Sequence, residues 1–216
     1  MPNWTHCKIE APNEVLRKYI TKDSEGKAEF DFNLLIPMPK EYLEKDMSEG
    51  FDTDYCIYWY LSNRGTTMIH GIEKGLIPYS GVLEMNRSRM MDYCLEHSDE
   101  CYQRGQKYYD LYKKYGHRSW YYWAIENWGT KWNATDTLVD GDLDDFESVE
   151  FDVAWCYPEP IVKKLFEENP GCRIGFFWSD EDYDGDHGIE RDENGRFNQW
   201  HQWNDEEERE DDEDDE

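Results

Sequence analysis

The residues that could do chemistry fall into three groups. Asp180-Glu181-Asp182-Tyr183-Asp184-Gly185-Asp186 sets oxygen ligands at positions 1, 3 and 5 and a glycine at position 6. That is the opening of an EF-hand loop, where alternating carboxylates converge on Ca2+ and the glycine makes the sharp turn. The closing Glu belongs at position 12, but Arg191 stands there, Glu190 is one residue early, and a strand rather than a helix leads in. What remains is a looser Ca2+ loop of Asp180, Asp182, Asp184, Asp186 and Glu190, beside the plainer reading of a solvated acidic loop. Cys94, His97 and Cys101 share one helical face and could give three ligands to Zn2+. A fourth has no obvious source, and cysteine at that spacing more often packs as a small apolar residue. Trp128-Gly129-Thr130-Lys131-Trp132 sets two rings and a cation around a flexible glycine. It is either a recognition loop or a seal of buried indoles. No G-x-S-x-G, P-loop or H-E-x-x-H occurs and the six histidines are scattered, so the chain reads as a binding protein first, with a Ca2+-binding accessory protein or a small enzyme of unknown activity as the alternatives.

The stronger signal is charge. Residues 121–216 hold 31 of the 50 Asp and Glu but only 7 of the 23 Lys and Arg, a net of −24; residues 1–120 net −3. A one-sided field of this size exceeds what solubility requires, and a protein adapted to high salt would be acidic throughout. In a strand, Glu150 and Asp152 fall opposite Phe151 and Val153 and so line its solvent face, with Glu147 on the same segment and Asp140, Asp142, Asp144 and Asp145 just before it. Such an array can imitate a phosphate backbone: at one charge per about 1.7 Å, 24 charges correspond to roughly 41 Å of duplex, about 12 base pairs. The same charge repels nucleic acid and anionic membranes, so direct binding to either is not expected.

The elements that would hold these residues form a repeat. Trp4–Glu10 reads as a strand, Pro12 to about Lys22 as a helix, and Phe30, Phe32, Leu34 and Ile36 alternate as a second strand. Residues 40–134 read as a mostly helical insertion. Val149–Trp155 is again a strand, Pro158 and Pro160 open a helix with Ile161, Val162, Leu165 and Phe166 on one side, and Cys172–Trp178 is a strand. A hairpin over 186–203 follows, turning at Asp192-Glu193-Asn194-Gly195. Two β-α-β halves, 3–37 and 147–178, can pair as one sheet in the split β-α-β arrangement, giving a single α+β domain over 1–204. Eleven of the residues 205–216 are acidic, a self-repelling block expected to be disordered. Six cysteines without a C-x-x-C pair, no signal-peptide pattern and no long apolar run point to reduced thiols in a cytoplasm.

The opening Met1-Pro2-Asn3-Trp4, the run Trp123-Ala124-Ile125-Glu126-Asn127-Trp128-Gly129-Thr130-Lys131-Trp132-Asn133-Ala134 and the later Phe151–Trp155 and Pro158-Glu159-Pro160-Ile161 resemble the Api92-like proteins of phages and plasmids. The resemblance implies a ferredoxin-like domain, a name for a fold that carries no iron–sulfur cluster, and a mobile-element origin. It carries no catalytic residues over. The acid-rich stretch from Asp180 and the acidic tail depart from the family pattern.

Charge and resemblance together give the expected function. It is a phage or plasmid inhibitor whose acidic surface mimics DNA and blocks a nucleic-acid-binding host protein of a defence system, such as a CRISPR complex or restriction enzyme, in the host cytoplasm. Asp140, Asp142, Asp144, Asp145, Glu147, Glu150, Asp152, Trp128, Lys131 and Trp132 are its expected contact residues. No cofactor is expected beyond the Ca2+ alternative, and the sequence leaves the oligomeric state open.

Overall fold

The computed structural model describes residues 3–22, 24–44, 51–63, 87–142, 145–180 and 185–203. Asp144, Asp182, Asp184 and the acidic block 205–216 lie outside the described residues, as does the side chain of Asp142. The chain divides into two compact units, Met1–Pro37 with Ala124–Glu216, and Met38–Trp123. No helix among the described residues is long and apolar enough to cross a membrane.

The first unit is built on a six-stranded sheet in the order β4-β5-β1-β6-β7-β8, every neighbour antiparallel. Its strands are β1 (Trp4–Glu10), β4 (Thr135–Asp142), β5 (Asp145–Ala154), β6 (Ile174–Asp180), β7 (Gly185–Arg191) and β8 (Phe197–Trp203). In β1 the alternation is strict: Thr5, Cys7 and Ile9 are buried, while His6 and Glu10 are exposed. Burying a side chain such as Ile9 contributes about 2 kcal/mol. A helix, Glu159–Glu168, joins β5 to β6 and buries Ile161, Val162, Leu165 and Phe166. Its strands do not meet; β1 lies between them, pairing Cys7 with Phe151 on one side and with Trp178 on the other.

The opening segment differs from its expected β-α-β form. The helix is one turn, α1 (Asn13–Leu16), followed by a 3-10 turn over Arg17–Tyr19. Ile20–Lys22 (β2) then pairs with Ala28–Phe30 (β3) in a separate two-stranded sheet. The expected strand stops at Phe30 because Asp31 turns the chain. Its carboxylate accepts from the Asn33 amide at 2.9 Å, the Phe32 amide donates to Asn133 Oδ1 at 2.8 Å, and Phe32–Leu34 becomes a 3-10 turn. Side-chain bonds of this kind compete with a strand ladder. Burial follows the turn: Phe30, Phe32 and Leu35 are inside and Leu34 is exposed. Phe30 stacks on Phe151 with centroids 4.9 Å apart, so the hairpin covers β5 on its core side.

The second unit is helical. As expected of the insertion, it holds α2 (Phe51–Asn63), α3 (Arg87–Glu96) and α4 (Ser98–Tyr115). Tyr55, Tyr60 and Tyr108 are buried, and Arg118 is buried against Asp54 at 3.1 Å. Helix α5 (Trp120–Trp128) spans the boundary between the units; the helix joining β5 to β6 is therefore α6.

Residues 124–216 without 1–37 lack the strand between β5 and β6. That fragment is expected to show no cooperative urea transition, and adding residues 1–37 as a separate peptide should restore one. A cooperative transition in the fragment alone would remove β1 as the closing element.

Candidate partner-binding face

Helix α6 and the β2–β3 hairpin cover one side of the sheet. The register sends a second set of side chains to the opposite, outer side: Trp4, His6, Lys8 and Glu10 from β1, Glu150 and Asp152 from β5, Leu138 from β4, Phe177 and Ser179 from β6, and Asp186 and Glu190 from β7. Asp140, Asp145, Glu147 and Asp186 are exposed; Glu150, Asp152 and Glu190 are half-buried. Strict alternation from Phe151 would turn Glu147 inward. Between Val139/Val149 and Gly141/Phe146, however, β4 advances two residues while β5 advances three. This bulge resets the phase, so that Phe146 and Val149 are both buried and Glu147 is exposed. The sequence reading places Asp140 before the strand; it lies on β4, an additional strand whose Thr137 is buried and Leu138 exposed.

The basic side chains on this side stand among the acids. His6 Nδ1 lies 2.9 Å from Asp152 and its Nε2 3.7 Å from Glu150. Lys8 reaches Glu10 at 2.8 Å. That hydrogen bond, with Glu150 and Asp140 nearby, holds the Lys8 ammonium above the ordinary lysine value, so it stays charged. Beneath the acids, burial pushes the Cys7 thiol well up and the Asp152 and Asp180 carboxylates push it further, leaving a neutral packing group rather than a nucleophile. Phe177 stands opposite Lys8, and its ring lies over Gly175, where a Cβ would come within 2.7 Å of it. The face therefore combines carboxylates with a planar apolar surface.

At the end marked by Asp152 the Trp-Gly-Thr-Lys-Trp run divides. Trp128 is a core residue: its Nε1 donates to the Ile36 carbonyl at 2.9 Å and its ring meets Phe32 edge-on. Thr130 donates to the Ala154 carbonyl at 2.7 Å. Gly129 has φ +80 and packs against Pro160, where a Cβ would come within 2.8 Å. Lys131 and Trp132 are half-buried instead, with Lys131 Nζ 4.1 Å from the Trp132 ring and 5.6 Å from Trp155. Trp132 lies 6.1 Å from Trp4, and Trp155 is 42% exposed. Of the three expected contact residues, Trp128 thus packs inward while Lys131 and Trp132 join Trp4 and Trp155 in an aromatic cluster. Sequence reasoning missed Trp155 because its position depends on a backbone angle: φ is +79, rare for a bulky residue, and such strain gathers at functional sites. Phe177 was hidden in a Phe-Phe-Trp run that does not say which ring faces out.

The carboxylates of the calcium reading are spread out. Asp180 accepts a hydrogen bond from Thr5. Asp186 and Glu190 lie four residues apart on β7, about 13 Å along the strand, too far for one ion. Glu190 also sits 3.9 Å from Arg173. Arg191, at the position where an EF-hand needs Glu, is buried and donates to the carbonyls of Phe166, Asn169 and Cys172 at the end of α6. Asp180, Asp186 and Glu190 therefore do not fit a common Ca2+ site. Cys94 and Cys101 are fully buried, and His97 stacks on Tyr93 with Nδ1 3.1 Å from the Tyr93 carbonyl, so these three do not form a zinc site either. Among the described residues no group of three or more His, Cys, Asp or Glu is placed to hold a metal ion.

Residues 127–216 match the family model of the ferredoxin-like domain in Api92-like protein, the family the sequence resembles. The match leaves out β1, which completes the sheet. No curated protein and no solved structure matches the chain.

Glycine occupies φ > 0 without the penalty of roughly 1–2 kcal/mol that a Cβ incurs there. Trp155→Gly is therefore expected to raise the unfolding free energy by about 1 kcal/mol in urea denaturation. A loss of stability would show that contacts of the indole hold the turn.

Proposed function

We propose that this chain is an inhibitory binding protein of a phage or plasmid, which presents its acidic outer face to a nucleic-acid-binding protein of the host cell and occupies that protein's DNA or RNA groove. The observation that carries this reading is the row Asp145, Glu147, Glu150 and Asp152 on β5, held by register at a strand's spacing and ending in the Trp4–Trp132–Trp155 cluster. A strand sets alternate carboxylates about 6.6 Å apart, so the charges meet a basic groove in a fixed pattern, unlike those of a flexible acidic segment. The aromatic cluster would supply the apolar anchor that such interfaces concentrate their energy on, and the stacking of Lys131 beside two indoles supports reading it as a surface that accepts a cation. Inhibition is by occlusion, without turnover. A host defence protein acting in the cytoplasm, a CRISPR complex or a restriction enzyme, is the target class. The same reading takes β5–α6–β6, with β1 between its strands, as the split β-α-β core of the ferredoxin-like domain.

Protein captured from bacterial host lysate at low salt tests this. The expected partner binds DNA or RNA, is released by competing duplex, and loses at least about tenfold in affinity between about 50 and 200 mM salt, as electrostatically steered association requires. Replacing Asp145, Glu147, Glu150 and Asp152 by their amides should weaken capture more than deleting 205–216. A partner that duplex DNA or RNA does not displace, or an affinity indifferent to salt, would remove the mimicry reading. A larger effect from the deletion would move the function to the tail.

A further inference from the structure

The two edges of the six-stranded sheet differ. β4 carries Asp136, Asp140 and Asp142, breaks register twice against β5, and its Thr137 hydroxyl accepts the Phe30 amide of the β2–β3 hairpin at 3.0 Å. Charge, bulges and cover are the devices that keep an edge from taking another strand. β8 has none of them. Phe197-Asn198-Gln199-Trp200-His201-Gln202-Trp203 contains no Asp, Glu, Lys, Arg or Pro, and all seven residues pair with β7 in unbroken register from Arg191↔Phe197 to Gly185↔Trp203. Among the described residues its other side pairs with nothing, which leaves a row of backbone amides and carbonyls along the edge.

The geometry points to β8 as a strand-addition site that takes an extended, basic segment of the partner protein as a seventh strand. This rests on the reading of a basic partner above, and it names the element that such a partner would engage first. Charge selects the occupant. The residues that follow β8, 205–216, carry a net −10, and a second copy of this chain would bring −27 of its own. A cationic strand is attracted where a second copy is repelled. The two sides of β8 define its pattern. On the α6 side the strand borders a groove of about 510 Å³ whose lining includes Tyr157, Val162, Phe166, Ile189 and Phe197, with Phe197 61% exposed. On the outer side Asn198 pairs with Glu190, and Asp186 follows four residues before it on β7. An added strand places alternate residues on these two sides, so the segment that fits alternates apolar and basic residues.

Two capped peptides of equal charge separate strand addition from general attraction: Arg-Val-Arg-Val-Arg-Val-Arg, and the same sequence with proline for valine, which lacks the amide donors a ladder needs. With the full chain at about 150 mM salt the valine peptide should bind at least about tenfold more tightly and should slow hydrogen exchange within Phe197–Trp203. Equal, salt-sensitive binding of the two overturns the edge proposal and leaves the acidic-face reading standing. Protection that falls on β4 instead, or self-association of the chain through β8 in the absence of peptide, also overturns it. Failure of both peptides to bind at low salt removes both readings.

Discussion

β5 and β6 are joined by α6, yet they are kept apart by the width of one strand, and only β1 fills that gap. The core and the outer face of the first unit both depend on this insertion. Cys7 and Ile9 close the core from the sheet side, against the residues that α6 buries. The same seven residues carry His6, Lys8 and Glu10 onto the opposite side, directly beside Glu150 and Asp152. Pairing residues some 146 positions apart is entropically costly and slow to find, but it makes the sheet a single object assembled from both ends of the sequence. The family match to residues 127–216 covers the two strands that flank the gap and leaves the strand that fills it outside.

The same insertion organises the charge. A net of −24 on residues 121–216 becomes two different things once the chain folds. Ten of those charges follow β8 in the acidic block, and the remainder includes the rows on β4, β5 and β7. Carboxylates on paired strands cannot separate to relieve their repulsion. They are tolerated because they are exposed or half-buried, and because the charged Lys8 and Arg173 stand among them. The bulge in β5 keeps the row on one side where plain alternation would have broken it. Arg191 shows the opposite use of a charge: in the acid-rich stretch it turns inward and ties the end of α6 to β7.

Strain and exposure coincide at Trp155. A strand that ends in Ala154 with the next residue at φ +79 turns that indole outward toward Lys131, at the end of the acidic row. The two sheet edges repeat the contrast on a larger scale, one guarded by aspartates and irregular register, the other regular, aromatic and uncharged.

Much of the frame was legible in the residues. The strand Trp4–Glu10 and the helix carrying Ile161, Val162, Leu165 and Phe166 were readable because each has one buried face and so a clear period of 2 or 3.6; the strand after the helix was readable as a short apolar run behind Asn169-Pro170-Gly171. Composition likewise located the charge in the second half. Phe30–Ile36 misled because Asp31 and Asn133, 102 residues apart, turn the chain through hydrogen bonds no local pattern records. Trp128 and Trp132 are the same residue type four positions apart, and only the packing around Ile36 and Phe32 made one core and the other surface. The sequence by itself determined which segments had a face to bury and how much negative charge the fold must carry. Tertiary structure decided which side of the sheet that charge occupies, because the side is set by β1 entering between β5 and β6 and by one extra residue in β5, and both are facts of register.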